Sequence, residues 1–168
     1  MSKIPKAKDE KRLYFAYGSN LSLTQIKLRC PAFKTIGTAA LSNHRVVCNK
    51  KGKNSVDFYA GIFCSPGDEV LGALYQLTEE DITRLDAIEG CNDGGKHYIR
   101  NEMDFFVRNR ETGQVINAFT YFVSKPVAPQ KPTSEYAAKI FQGCRDHRFP
   151  DEYVKNLRRW FFMEHEIS

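Results

Sequence analysis

Apolar and polar positions along the chain follow two periods, and each predicts its own kind of element. Residues 12–17 form an apolar, aromatic run that stops abruptly in Gly18-Ser19-Asn20, which predicts a strand entering a tight turn. Ser22-Leu23-Thr24-Gln25 matches a capping box and Pro31 ends the run, so a short helix is expected over 22–29. Residues 33–49 predict two strands broken near Ser42-Asn43, and Lys50 to Asp57 is a polar loop. Two apolar runs, 58–64 and 69–77, flank Ser65-Pro66-Gly67-Asp68. Proline then glycine at the centre of four residues is a type II turn signature, which predicts a hairpin. Thr78 caps a helix through Ile88, with Asp81 at the capping-box position and Gly90 ending it. Strands resume at 97–109 and 114–124, joined by Arg110-Glu111-Thr112-Gly113. Lys125 to Thr133 holds three prolines and reads as a linker inside the domain. Two helices follow, one after Ser134 and one near Pro150, where proline suits the first helical position.

This is a pattern of about seven strands with scattered short helices. Strands and helices do not alternate, which argues against a parallel doubly wound sheet. The expected class is α+β, a mixed and mostly antiparallel sheet curled into a small barrel with short helices on its flanks. At 168 residues the chain has the length of one domain, and it can bury a core without disulfide or metal staples. Residues 1–11 read as a charged, frayed leader and 12–168 as the single domain. The leader has no apolar core of the signal-peptide kind, and no run approaches the roughly 20 apolar residues of a membrane span. No membrane partner is expected, therefore. The five cysteines are odd in number and form no C-x-x-C pair. They read as reduced, buried or half-buried thiols in a cytoplasmic setting. His44, His97, His147 and His165 show no metal-ligand spacing, so no metal site is expected. The net charge is +5, with lysines at the N-terminus and in Lys50-Lys51-Gly52-Lys53. No nucleic-acid motif accompanies them, so they read as a solvated loop and tail rather than a nucleic-acid surface. A mild positive field also draws in small acidic substrates.

Two features carry candidate chemistry. The first is the turn Gly18-Ser19-Asn20. Glycine allows a sharp bend and close approach of a ligand, and successive backbone N–H groups beside a helix start form an anion-binding concavity. A carboxylate or an oxyanion fits such a concavity equally well. The second is Glu89. It lies four residues after Leu85 and seven after Ile82, on the same apolar helix face as Ile88. Glu79, Glu80 and Asp81 sit in the first turn, where the helix dipole favours them; Glu89 sits in the last turn, where it does not. A carboxylate that breaks two local rules at once marks a functional candidate. Burial would raise its pKa towards neutrality, as a general acid/base requires. Asp86 is the rival carboxylate, pointing roughly 100° away from Leu85.

With these residues in place the chain resembles the γ-glutamylcyclotransferases. The matching pieces are Tyr14-Phe15-Ala16-Tyr17-Gly18-Ser19-Asn20-Leu21, Gly61 with Ser65-Pro66-Gly67-Asp68-Glu69-Val70-Leu71-Gly72, and Leu85-Asp86-Ala87-Ile88-Glu89-Gly90. Tyr98, Tyr121, Ser134-Glu135-Tyr136 and Pro150-Asp151-Glu152-Tyr153 follow in order. The resemblance implies a small mixed barrel with flanking helices, often a homodimer, that needs no cofactor. It implies conversion of a small γ-glutamyl compound into 5-oxoproline and a free amine or amino acid. By that likeness Glu89 is the catalytic acid/base, Tyr14, Phe15, Ala16, Tyr17, Gly18, Ser19 and Asn20 hold the glutamyl group, and Tyr136 lines the same pocket. Tyr98 and Tyr121 would wall the pocket and offer hydroxyl donors. The 91–97 loop is longer than the family pattern, which leaves the leaving group open.

The chemistry suits these parts. A γ-glutamyl substrate carries its own nucleophile, and attack of its α-amine on the γ-carbonyl closes a five-membered lactam. The protein has to fold the substrate, remove a proton from the amine and return one to the leaving nitrogen. Alternatives at this stage are the same reaction on γ-glutamyl-ε-lysine, on glutathione or on a γ-glutamyl-protected metabolite. A thiol hydrolase built on Cys91 and His97, and a non-catalytic barrel that binds a small acid, are further alternatives.

Overall fold

The computed structural model describes residues 12–101, 103 and 105–163; the 1–11 leader lies outside the described residues. Its frame is a pair of long antiparallel strands, β2 (Lys34–Lys51) and β3 (Phe58–Leu77), paired from Lys34 opposite Gln76 to Lys51 opposite Phe58 with shifts of register at Thr35/Gly37, Ser42/His44 and Cys48/Lys50. β1 (Arg12–Ala16) pairs with β3 on one side. β5 (Phe106–Asn109) and β6 (Val115–Asn117) extend the sheet beyond β2 into the order β1-β3-β2-β5-β6. β4 (Tyr98–Asn101) and β7 (Thr120–Val123) form a second, two-stranded sheet. A parallel bridge from Tyr14 to Phe119 ties β1 to the chain between β6 and β7. The α+β class and the antiparallel strand pairs agree with the expectation from sequence.

The predicted hairpin at Ser65-Pro66-Gly67-Asp68 is corrected. β3 runs through this segment, and both of its halves pair with the same partner strand. Ser42 faces Glu69 and His44 faces Cys64, so the four residues 65–68 bulge opposite Asn43 alone. Asn43 adopts φ +60°, and its Oδ1 accepts the Gly67 N–H at 3.1 Å. Arg45 holds Asp68 at 2.8 Å across the bulge. A bulge adds twist and bend to a ribbon without ending it. The local turn signal was real, but long-range pairing made it a bend in a ribbon whose true turn is 52–57. The break expected between two strands near Ser42-Asn43 is the other side of the same bend.

Short helices flank the sheet. Ser19–Leu21 is a single 3-10 turn, followed by α1 (Leu23–Arg29). α2 (Glu79–Ile88) follows β3, and α3 (Ser134–Asp146) and α4 (Asp151–Arg158) close the chain, α4 running into a π turn at Arg159–Met163. Pro150 is the N-cap of α4 rather than its first helical residue. Trp160, Tyr75, Phe15 and Phe161 are the largest fully buried side chains, at the heart of one continuous core. Gly143 of α3 lies against Leu21, so close that a Cβ there would collide with the Leu21 side chain and backbone. That contact presses the turn after β1 onto α3.

Candidate active site

Glu89 is placed by the way α2 ends. Thr78 caps its start by accepting the Asp81 N–H at 3.1 Å, and Ile82 and Leu85 bury one face. Ile88, expected on that face, is 48% exposed, because the helix stops before completing another turn against the core. Glu89 is the C-cap, and Gly90 follows at φ +74°. The Gly90 N–H reaches Ala87 O at 3.2 Å and the Cys91 N–H reaches Asp86 O at 2.9 Å. These two bonds define a Schellman motif, in which glycine takes the left-handed position at no steric cost. The motif turns the chain away while leaving Glu89 aimed at β1. The Glu89 carbonyl then accepts the Tyr98 N–H, which anchors the return of the 91–97 loop.

A cavity of about 800 Å³ opens over this carboxylate. Tyr14, Tyr17, Gly18, Ser19 and Asn20 form one wall. Tyr98, Tyr121 and Tyr136 stand around them, and Glu89 lies on the α2 side. Phe15 and Ala16 do not line it. A strand alternates its faces, so Phe15 packs into the core beside Phe105; Ala16 shares the face of Tyr14 but is fully buried. The tyrosines also differ in what their hydroxyls can do. Tyr17 donates to Tyr121 O at 2.6 Å, Tyr98 to Ala60 O at 2.8 Å and Tyr121 to Asp86 at 2.7 Å. Their protons are committed, so Tyr98 and Tyr121 wall the cavity and are not the hydroxyl donors expected from sequence. Tyr14 and Tyr136 instead accept, from Asn20 Nδ2 at 3.1 Å and from the Ala60 N–H at 3.0 Å, and keep their own protons to give. Burial pushes both phenols up, so they stay neutral donors at ordinary pH.

The Glu89 side chain is only 15% exposed. Burial raises its carboxyl above the ordinary range; Arg29, the Asn20 hydrogen bond and Lys50 oppose that rise. Asn20 Nδ2 donates to Glu89 Oε1 at 3.3 Å, and Arg29 Nη1 lies 3.7 Å from the same oxygen. Among the described residues no hydrogen bond holds Oε2. The rival Asp86 is occupied by Tyr121 and by Arg100 at 3.2 Å. Cys91 is no activated nucleophile: burial pushes its thiol up to about 11, whereas nucleophilic thiols are lowered. All five cysteines are free, and Cys64 is exposed rather than buried.

Three further polar residues shape this site: Gln25 and Lys50, for which the sequence suggested other roles, and Arg29, which it did not single out. Gln25 has the capping-box position, and its N–H does bond Ser22 Oγ at 3.3 Å. Its side chain, however, turns to Ser19 Oγ at 2.6 Å and Asn20 Oδ1 at 3.1 Å. Arg29 lies one helical turn beyond Gln25 and donates to Asn20 Oδ1 at 3.0 Å. The i, i+4 spacing of Gln25 and Arg29 behind the Gly-Ser-Asn turn was the available signal. Lys50, part of a stretch that reads as a solvated loop in the sequence, is one of the last two residues of β2, at the cavity wall. Its ammonium lies 5.5 Å from the Tyr59 ring centroid and 5.8 Å from that of Tyr98, and burial lowers its pKa.

Comparison with known proteins identifies the family of the chain. Residues 14–139 match the family described as gamma-glutamyl cyclotransferase, AIG2-like. A Homo sapiens protein named gamma-glutamylcyclotransferase is 34% identical over 155 residues, covering 89% of this chain and 79% of the relative. A Mus musculus protein of the same name is 34% identical over 151 residues, covering 87% and 77%. A solved gamma-glutamyl cyclotransferase superposes with a TM-score of 0.78 at 32% identity, covering 89% of this chain and 87% of that one. Among the described residues no helix is long and apolar enough to cross a membrane. The matched span contains the turn after β1, Glu89 and Tyr136, and the chain belongs to the γ-glutamyl cyclotransferase, AIG2-like family of enzymes.

Proposed function

We propose that this enzyme is a γ-glutamylcyclotransferase that converts a γ-glutamyl amino acid or amine into 5-oxoproline and the free amino acid or amine, with Glu89 as its general acid/base. The observation that carries the reading is the asymmetry of the Glu89 carboxylate: Oε1 is held by Asn20 beside Arg29, and among the described residues none hydrogen-bonds Oε2. Oε2 takes a proton from the substrate α-ammonium. The freed amine attacks the γ-carbonyl carbon, forming the new C–N bond and a tetrahedral oxyanion. Glu89 returns the proton to the leaving nitrogen as the old C–N bond breaks, and the ring nitrogen, left with two protons by the attack, gives one to the Glu89 carboxylate, which passes it to the departing amine. A raised carboxyl pKa suits a group that must both accept and give that proton near neutral pH.

The remaining residues orient and stabilise. The first-turn N–H groups of Ser19 and Asn20 have no preceding intrahelical acceptor, and they suit an oxyanion or the substrate α-carboxylate. Tyr136 and Tyr14 supply neutral O–H donors. Lys50 gives the opposite wall a positive charge that favours an acidic ligand.

The test uses purified enzyme and Glu89→Gln, each incubated with γ-glutamyl-alanine, γ-glutamyl-ε-lysine and glutathione, with 5-oxoproline read by mass spectrometry. The wild type makes 5-oxoproline from at least one substrate and the variant makes none. Near-full turnover by Glu89→Gln overturns the role of Glu89, and no product from any substrate overturns the reaction as proposed.

A further inference from the structure

Asn20 is 3% exposed, and its amide makes four hydrogen bonds. Oδ1 accepts from Gln25 Nε2 at 3.1 Å and from Arg29 Nη1 at 3.0 Å. Nδ2 donates to Tyr14 Oη at 3.1 Å and to Glu89 Oε1 at 3.3 Å. An amide offers two donors and two acceptor sites, so this one is saturated. Rotating it by half a turn would set its NH₂ against a guanidinium and another amide NH₂. It would also set its carbonyl oxygen against a carboxylate. The contacts with Arg29, Gln25 and the Glu89 carboxylate would then be donor to donor or acceptor to acceptor, and only the Tyr14 hydroxyl could adapt, by donating instead of accepting. Arg29, which can only donate, therefore decides which end of Asn20 meets Glu89, and Gln25 completes the arrangement by filling the second acceptor site.

We propose that Arg29 and Gln25 are positioning residues of the reaction. By filling both acceptor sites of Asn20 Oδ1 they force the Asn20 amide nitrogen onto Glu89 Oε1, which leaves Oε2 as the oxygen that exchanges protons with the substrate. The inference rests on the reading of Glu89 as the acid/base. α1 is a firm platform for the task. Ser22 caps it, its Leu23 N–H bonds Asp146 of α3 at 3.0 Å, and Ile26 is fully buried. Arg29 has a second effect, because its charge lies 3.7 Å from Glu89 and favours the ionised form. Lys50 from β2 adds to that effect and Asp86 from α2 opposes it. Tyr14 and Tyr17 near β1, Tyr98 from β4 and Tyr136 from α3 also face Glu89, but they are neutral phenols at working pH.

Three variants test this. Arg29→Met removes one lock and the charge, Arg29→Lys keeps the charge without the planar fork, and Gln25→Leu removes a lock without changing charge. The readouts are the pH profile of kcat/KM and the titration of the Glu89 carboxyl by ¹³C NMR, assigned by its absence in Glu89→Gln. In Arg29→Met the acidic limb and the Glu89 titration both move to higher pH, and part of the lost activity returns as pH is raised. Arg29→Lys restores the limb towards its wild-type position. Gln25→Leu lowers kcat about tenfold or more, as misorientation does, with the limb unmoved. A loss caused by general damage to the fold would not be recovered by raising pH. Limbs and carboxyl titrations that superimpose on the wild type in Arg29→Met, or wild-type kcat in Gln25→Leu, overturn the proposal. Turnover by Glu89→Gln is a different failure, that of the acid/base reading itself.

Discussion

Replacing Gly90 with alanine tests whether the end of α2 places Glu89. Two penalties arise, and they can be separated. Gly90 sits at φ +74°, where an L-residue is disfavoured by about 1–2 kcal/mol. A Cβ there would also stand 2.5 Å from His97 Cδ2 and 2.9 Å from His97 Cβ and Cγ, distances that no real packing tolerates. The His97 side chain is 38% exposed, so its ring can swing outward. Its Cβ cannot move without the backbone, and the 91–97 loop has to shift. The steric share adds about 1 kcal/mol, as for modest overpacking. Together these give about 2–3 kcal/mol, or a fall in Tm of about 4–12 °C for a chain of this size. Gly94→Ala is the control: its φ is +65° and no atom lies near the new Cβ, so it carries the backbone strain alone. Thermal melting should therefore rank Gly90→Ala below Gly94→Ala below wild type. Because Glu89 is the adjoining residue, 5-oxoproline formation by Gly90→Ala should also fall about tenfold or more. Equal melting of the two variants together with wild-type turnover would refute the argument.

Other predictions follow from the same contacts. Glu89→Gln should be at least as stable as wild type at neutral pH, because burial holds the Glu89 carboxyl above its unfolded value and ionising it opposes folding. That advantage is full above the folded pKa and closes as pH falls through it towards the unfolded value; a gap in Tm that widens on acidification would contradict the sign. Tyr136→Phe should lose about 1 kcal/mol, about 2–4 °C in Tm, by leaving the Ala60 N–H unpaired, and its kcat should drop with the lost donor. Gly18→Val should impair binding more than Ser19→Ala. A Cβ at Gly18 already lies 3.4 Å from Ala60 Cβ and 3.8 Å from Tyr136 Oη, so the valine methyls enter the cavity; steady-state kinetics showing a normal KM and kcat for Gly18→Val would count against the geometry.

Much of the molecule was legible along the chain, because the signals involved are local. The caps at Ser22 and Thr78 bond backbone N–H groups three residues ahead, and these bonds form wherever the helices go. Gly90 ends α2 by its own backbone freedom. Glu89 stood out because its charge conflicts with its helical position, a conflict visible in any register. The turn at Ser65-Pro66-Gly67-Asp68 shows the opposite limit. Its chemistry is local, but whether it reverses the chain or only bends it depends on which strand pairs on each side, and that is settled by β2 at a distance. The tyrosines show the same limit. Their type and order placed them at a cavity, but only the fold decided that Tyr98 and Tyr121 spend their protons on a carbonyl and a carboxylate while Tyr14 and Tyr136 keep theirs.

The sequence by itself determined the helices, the glycine that turns the chain after Glu89, and the identity of the carboxylate that does not belong where it sits. Only the tertiary structure decided the surroundings of that carboxylate. Asn20 is 69 residues from Glu89 in sequence. Arg29 and Lys50 reach the same cavity from different elements; Arg29 had only its helical spacing from Gln25 to mark it, and Lys50 has no local pattern that separates it from an ordinary surface cation. Backbone preferences act over a few residues and are written in short strings of sequence. The electrostatics of a site are set by distances between groups that meet only when the core packs.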